Sequence, residues 1–415
     1  MHFNFSNKPV LYNIDDVNRV IINILFPVKS SNKESVIRTL LIRLLSSYNM
    51  NYTKPNEFYS KLDSLYIIGY SVDTIRFLEI TYIRFTLVLP KNGLIDDYDA
   101  SKAINFFYDS IFKPYTNDKE FDTSIFEYEK NFLLDKEKDF PKSIYEYTGD
   151  LYYQFIDKDE KLGLSHDSYM KYLNEVTSSE VYKYYNKNIT NNNYMVYIYG
   201  NIDDELITCF DKTFNKPIAE FNFDAKFDDY FKFDKFLEKK EKTKYNQSVL
   251  YLNYIVKDMC DDDKAYFDTL YFILNSKENA LIYNELRTNN NIVYSTKVRS
   301  SIHYALFDVI VYYNDYDYKK IIDIVNSTID SLRDENKFNT CKERLVKSLG
   351  YDLLYQEDEP FGKVFEEIEI SISDEKSFKE KIELINNIEH KDFVKFLDKV
   401  ILSKSYLFES GDKNA

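Results

Sequence analysis

The sequence predicts an α+β protein of two homologous domains, each a mostly antiparallel sheet covered by helices. Three observations predict it. The chain has 415 residues, more than one hydrophobic core usually serves, so two domains of about 200 residues each are expected. Four blocks of sequence recur in the same order at a drifting offset, which is how an internal duplication looks. Each copy also shows the same succession of β-rich and amphipathic helical runs.

The clearest repeat places FYSKLDSLYIIGYSV (58–72) without gaps on IYNELRTNNNIVYST (282–296). Tyr59 falls on Tyr283, Leu62 on Leu286, Tyr70 on Tyr294 and Ser71 on Ser295, at an offset of 224. The run IINILFPV (21–28) pairs with YLNYIV (251–256), and Phe121-Asp122-Thr123 with Phe338-Asn339-Thr340. VYKYYNKNI (181–189) pairs with FVKFLDKVI (393–401). The offset falls from 228 to 224, 217 and 212, as two copies of one fold with small deletions would give.

In each copy a β-rich strand precedes an apolar helix, SVIRTLLIRLLSSY in the first and AYFDTLYFILN in the second. A shorter helix and a β-hairpin follow. ITYIRFTLVLP closes the first hairpin and YALFDVIVYYN the second, both rich in the β-branched and aromatic residues of buried strands. An amphipathic helix then packs back, with Ile104, Phe107, Tyr108 and Ile111 on one stripe and Ile322, Val325, Ile329 and Leu332 on the other. Further helices lead to the final strands YMVYIYG (194–200) and SYLFES (405–410). These runs divide the chain into a domain at 1–212, a linker at 213–247 and a domain at 248–415. The linker mixes charge and aromatics without a period and has no Gly, so it is expected to be stiff and to pack on the surface.

Composition removes several function classes. The net charge is −15 and the aromatics are not interleaved with Arg, so the basic face of a nucleic-acid binder is missing. Cys209, Cys260 and Cys341 are odd in number and far apart, which argues for a reducing compartment and against a disulfide or thiolate-metal site. The N-terminus lacks a basic start followed by an apolar core, and no apolar run approaches the ~20 residues of a membrane helix. A cytoplasmic protein without membrane insertion is expected. The abundance of Tyr (39) and Phe (32) reads as coding bias before it reads as function.

Two segments carry a resemblance. ENALIYNELRTNNNIVYSTKVRS (278–300) has a helix ending in a Leu-Arg pair, a turn, then a Tyr-Ser opening a strand; FEYEKNFLLDKEKDFP (126–141) is a long Glu-rich helix. Both resemble the insulinase/pitrilysin metallopeptidase family, and the likeness extends over nearly the whole chain. It is greatest to the shorter bacterial proteins of that family that pair an active with an inactive subunit. The resemblance implies a half-clamshell arrangement of the two domains. Active members carry an inverted zinc motif, H-x-x-E-H, on the first helix, two imidazoles one turn apart with a general base between them. Here the corresponding helix, Glu34 to Tyr48, has no His and no acid after Glu34. The four His, at 2, 166, 303 and 390, are scattered, and His166, His303 and His390 read as surface residues. No metal ligand set and no catalytic residue is therefore expected in this chain. Glu127 and Glu129 stand where an active relative offers its third metal ligand, but without the imidazoles they read as a solvated helix face.

What the resemblance leaves is a substrate-binding pair, Arg287 and Tyr294. In active relatives the matching Arg and Tyr donate hydrogen bonds to the substrate carbonyl near the scissile bond, from the domain opposite the metal. A guanidinium and a phenol suit that role chemically, because both donate to an oxygen that gains charge. The plainer alternatives are an Arg that ends a helix and a Tyr in the core. The first copy has Asp63 in place of Arg287 but keeps Tyr70, so the Arg is no shared requirement of the fold. The expectation is a non-catalytic subunit of a heterodimeric peptidase that cuts small peptides or leader segments, with zinc in the homologous partner. The alternative is a structural or peptide-binding module with no peptidase role.

Overall fold

A computed structural model describes residues 2–3, 9–29, 31–77, 80–191, 194–214, 221–222, 231–275, 280–359, 361–373 and 376–411. The first half runs β1 (His2–Phe3), β2 (Val10–Asn13), β3 (Arg19–Lys29), α1 (Asn32–Ser47), α2 (Pro55–Ser64), β4 (Gly69–Phe77), β5 (Ile80–Pro90) and α3 (Ala100–Phe112). It continues with β6 (Thr116–Asn117), β7 (Glu120–Phe121), α4 (Thr123–Glu137), α5 (Ile144–Ile156), α6 (His166–Glu175), α7 (Ser178–Tyr185), β8 (Met195–Gly200), α8 (Asp204–Thr213) and β9 (Phe221–Asn222). The second half runs β10 (Leu237–Lys242), β11 (Ser248–Val256), α9 (Lys264–Asn275), α10 (Leu281–Tyr283) with a π-helical turn (Asn284–Asn289), β12 (Val293–Ser301) and β13 (Leu306–Tyr313). Then come α11 (Tyr318–Asp330), α12 (Glu335–Asp358), α13 (Gly362–Ser373), α14 (Phe378–Asn386), α15 (His390–Leu397) and β14 (Val400–Glu409).

Each half builds one five-stranded sheet, ordered β2-β8-β3-β5-β4 and β10-β14-β11-β13-β12. All neighbours are antiparallel except the edge pairs β2/β8 and β10/β14. The expected α+β class with mostly antiparallel sheets is thus the observed one. The chain folds into two compact units: Met1–Phe140, Asp159–Ala225 and Glu359–Glu375 in the first; Pro141–Lys158, Lys226–Asp358 and Lys376–Ala415 in the second. This division departs from a cut at 213–247, because each half lends one helix to the other half's sheet.

The lent helices explain why the central strands are apolar on both faces. In β3, Val20, Ile22, Ile24, Phe26 and Val28 join the core under the helices of their own half, including α1 and α3. The alternate residues Ile21 and Leu25 join a second cluster with Phe361, Val364, Ile368 and Ile372. The last three of these stand at i, i+4 and i+8 on α13. Tyr82 also donates to the carbonyl of Ile372 at 3.0 Å. In the second unit α5 takes the same place: Tyr152 stacks on Tyr251 of β11 at 4.2 Å between ring centroids, and Thr148 lies 2.9 Å from the Tyr251 hydroxyl. Tyr152 donates to Asp308 of β13, which is buried and also accepts from Asn253 at 2.8 Å.

The duplication shows in equivalent contacts. Lys130 of α4 reaches back to the carbonyls of Asn174 and Val176, both at 2.9 Å, over the ring of Phe126. Lys342 of α12 does the same to Asn386 at 3.1 Å and Ile388 at 2.8 Å, over the ring of Phe338. Phe126, not Phe121, is therefore the counterpart of Phe338, and the offset there is already 212. The helices α7 and α15 repeat at 212 as the sequence implies. Asn23 and Asn253, buried at the centre of β3 and β11, set the offset of the first strands at 230.

Part of the expected linker is not linker: residues 237–242 form β10, an edge strand pairing in parallel with β14. Residues 215–220 and 223–230 of that segment lie outside the described residues. No helix among the described residues is long and apolar enough to cross a membrane.

Candidate functional site

Arg287 and Tyr294 stand on either side of a tight turn in the second unit. The helical segment ends at Asn289, Asn291 takes a left-handed φ of 50°, and the chain reverses, with Ile292 N–H bonding Leu286 O at 2.9 Å. Leu286, Ile292 and Val293 are buried and anchor the turn. Arg287 Nη1 donates to the carbonyl of Val293 at 2.8 Å, so the guanidinium is tied to the residue just before Tyr294. Its other nitrogens have no partner among the described residues and the side chain is exposed. Tyr294 is 70% exposed.

The ladder explains that exposure. Between β12 and β13, Val293 pairs with Tyr313 and Ser295 with Tyr312, leaving Tyr294 as the extra residue of a β-bulge. Its first-copy counterpart Tyr70 sits in an unbroken ladder opposite Leu87. Tyr70 turns inward, packs on Phe58 and Phe107, and donates to Leu45 O at 2.7 Å. One copy thus uses its tyrosine for the core and the other presents it to solvent. The core reading of Tyr294 is excluded, whereas the helix-ending position of Arg287 is real and coexists with a free donor edge. β12 is also an edge strand, on which the Val293 carbonyl accepts from Arg287 and Val298 N–H donates to Asn275 Oδ1 at 3.4 Å. Glu278 and Asn279, at the head of the segment that carries the resemblance, lie outside the described residues.

In the first unit the helix that would carry a zinc motif points leucines inward: Leu40, Leu41, Leu44 and Leu45 are buried. Glu127 is exposed, as a solvated face requires, but Glu129 is not on such a face. It is 4% exposed, accepts from Arg43 Nε at 2.5 Å on one oxygen and from the Tyr48 hydroxyl at 2.9 Å on the other. A carboxylate is tolerated there because a cation and a phenol from α1 and its C-terminal cap neutralise and bond it. Burial first, and then the hydrogen bond to Glu129, push the Tyr48 hydroxyl well above its ordinary value. Sequence reasoning passed over Arg43 and Tyr48; the available signal was an arginine inside the apolar run Leu40-Leu41-Ile42-Arg43-Leu44-Leu45.

The histidines are not loop surface either. His166 opens α6, with Nδ1 3.5 Å from Glu137 and its ring stacked 3.7 Å from Phe140. His303 is 6% exposed, and His390 opens α15 with Nε2 3.1 Å from Leu332 O. Polar partners account for His166 and His390, and His303 packs edge-on against the Tyr304 ring. Among the described residues no three His, Cys, Asp or Glu side chains gather as a metal site would need. Cys209, Cys260 and Cys341 are free thiols.

A chain of two sheet-and-helix units, with an Arg/Tyr turn on the second, is similar to known peptidase-type proteins. Residues 175–345 match the family model described as the peptidase M16 inactive domain. No curated protein matches the sequence. Among solved structures, a conserved protein from Enterococcus faecalis V583 aligns over 98% of this chain and 96% of its own, at 15% identity and a TM-score of 0.83. A protease from Helicobacter pylori aligns over 99% of both chains, at 11% identity and a TM-score of 0.71. The first half of the periplasmic protease PqqL from Escherichia coli aligns over 100% of this chain and 92% of its own, at 12% identity and a TM-score of 0.68. At such identities the structural likeness establishes the fold, and the inactive-domain match, which includes residues 278–300, agrees with the family resemblance read there.

Proposed function

We propose that the chain is the non-catalytic subunit of a heterodimeric peptidase in the bacterial cytoplasm, working with a zinc-bearing homologue on small peptides or leader segments. Arg287 and Tyr294 would hold the substrate carbonyl, and the edge of β12 would hold an extended peptide by strand addition. The observation that supports this reading is the contrast between Tyr70, used in the core, and Tyr294, 70% exposed on a bulge beside a tethered guanidinium. Placing a phenol in water on a bulge serves no packing purpose, whereas two fixed donors beside an open strand edge suit a peptide carbonyl. The match to an inactive domain agrees with a subunit that does not itself supply the metal. The partner's zinc would activate the water.

The test mixes the purified chain with its zinc-bearing homologue and follows a quenched fluorogenic peptide. Tyr294→Phe removes one exposed hydroxyl without touching the core, and Arg287→Ala removes the guanidinium. Each should lower kcat about 100-fold, the loss typical of one oxyanion donor. Unchanged cleavage by both variants would end the assignment. A structural or peptide-binding module with no peptidase role predicts no cleavage by any mixture.

A further inference from the structure

Arg43 has more donors than its buried partner uses. Its Nε bonds Glu129, and its guanidinium carbon lies 4.1 Å from the centroid of the Phe132 ring. One carboxylate and one aromatic face therefore fix the plane of the group. Both Nη atoms have no partner among the described residues, and 31% of the side chain is open to solvent. A rigid fork of N–H donors at a surface is the geometry that receives a carboxylate through two parallel bonds.

The surroundings favour an organic acid over a small inorganic ion. Phe132 is 46% exposed and Tyr128, one turn earlier on α4, is 63% exposed. These rings form an apolar shelf on the same helix that carries Glu129. Tyr169 of α6 is half-buried nearby: burial and then the Glu137 charge push its hydroxyl up, and the Arg43 charge opposes that push. Glu129 and Arg43 form a net-neutral pair, so the attraction for an incoming carboxylate comes from the hydrogen-bonding Nη–H groups of Arg43 and not from a net charge.

We infer that the outward edge of Arg43, flanked by Phe132 and Tyr128, binds a peptide carboxylate whose neighbouring side chain rests on that shelf. The site would anchor an end or an acidic residue of a peptide on the first unit. This rests on the reading of the chain as a peptide-holding subunit, and it deepens that reading by naming an anionic anchor.

The test uses the full chain labelled with 15N-arginine, observed at its Nε–Hε resonances, with the Arg43 signal assigned by R43K. Three probes are titrated: N-acetylphenylalanine, its neutral amide, and N-acetyl-phenylalanyl-glutamic acid with an amidated C-terminus. Saturable shifts of the Arg43 resonance by an acidic probe, at affinity at least about tenfold above the neutral amide, are expected. Tighter binding of the first acid identifies a C-terminal carboxylate, and tighter binding of the third an acidic side chain. Equal affinity for the neutral amide, or no Arg43 shift with either acid, overturns the site. Because R43A strands Glu129, the double variant R43M/E129Q serves as the folded control and should lose the preference for acids. Retention of that preference would also overturn it. If the titration fails while reconstituted cleavage persists, only the Arg43 site falls; if no partner exists, the titration on the isolated chain still reads out.

Discussion

Replacing Arg43 with alanine measures what holds the buried Glu129 carboxylate in place. Glu129 has a side chain 6% exposed, and it would keep the 2.9 Å bond from Tyr48 but lose the 2.5 Å bond from Arg43. Stranding a fully buried charge costs about 3–5 kcal/mol. Arg43 is itself 31% exposed, so trimming it admits water to one carboxylate oxygen and lowers the expected loss to about 2–3 kcal/mol. For units of this size that is a fall in melting midpoint of about 4–12 °C. Unfolding in urea, followed by tyrosine fluorescence because the chain has no Trp, is a suitable assay. R43M/E129Q, which removes both charges, should stay within about 1 kcal/mol of the parent, since an apolar or neutral pair replaces a buried ion pair at little cost. An R43A midpoint within about 0.5 kcal/mol of the parent would show that Glu129 does not depend on Arg43, and the account of that cluster would be wrong.

Two further perturbations probe the duplication and the lent helices. Lys130→Met and Lys342→Met each remove two bonds from an ammonium to helix-end carbonyls and should each lose about 1–3 kcal/mol in thermal or urea unfolding; a loss at one position only would contradict the equivalence. Asp308 is buried under α5, where burial raises its carboxyl to about 6 against the hydrogen bonds of Tyr152 and Asn253 and the charges of Arg299 and Lys404. Its folded value lies above the ~3.9 of an unfolded Asp, so its contribution is complete below about pH 4 and is lost as pH rises through 6. Compared with the parent, Asp308→Asn should therefore be relatively less stable at pH 4 than at pH 7, by about 2–3 kcal/mol in the difference between unfolding curves; parallel pH profiles would refute this.

The sheets and their hairpins were legible because buried strands announce themselves by β-branched and aromatic runs, as in β5 and β13. The 212 offset of α7 and α15 was legible because Lys183/Lys395 repeat within the helix and Ile189/Ile401 just beyond its end. The exchange of α5 and α13 was not, since an amphipathic helix shows that it covers something without showing which sheet. The strand β10, LEKKEK, was hidden because an exposed edge protected by lysines has no apolar alternation. Of the candidate site, Arg287 and Tyr294 were read from the family resemblance of residues 278–300, with the first copy's Asp63 and Tyr70 as the contrast, but the bulge that turns Tyr294 outward depends on its pairing with β13. Glu129 was misread because its partner Arg43 lies 86 residues away, and a charge on a helix looks solvated until the neighbouring helix is in place.

The most direct measurement is peptide cleavage by an equimolar mixture of this chain and the proposed zinc-bearing homologue, against each protein alone at the same concentration. The account predicts hydrolysis and stoichiometric zinc in the mixture, with neither in this chain by itself. Hydrolysis by the isolated chain, or a homologue as active alone as in the mixture, would contradict it.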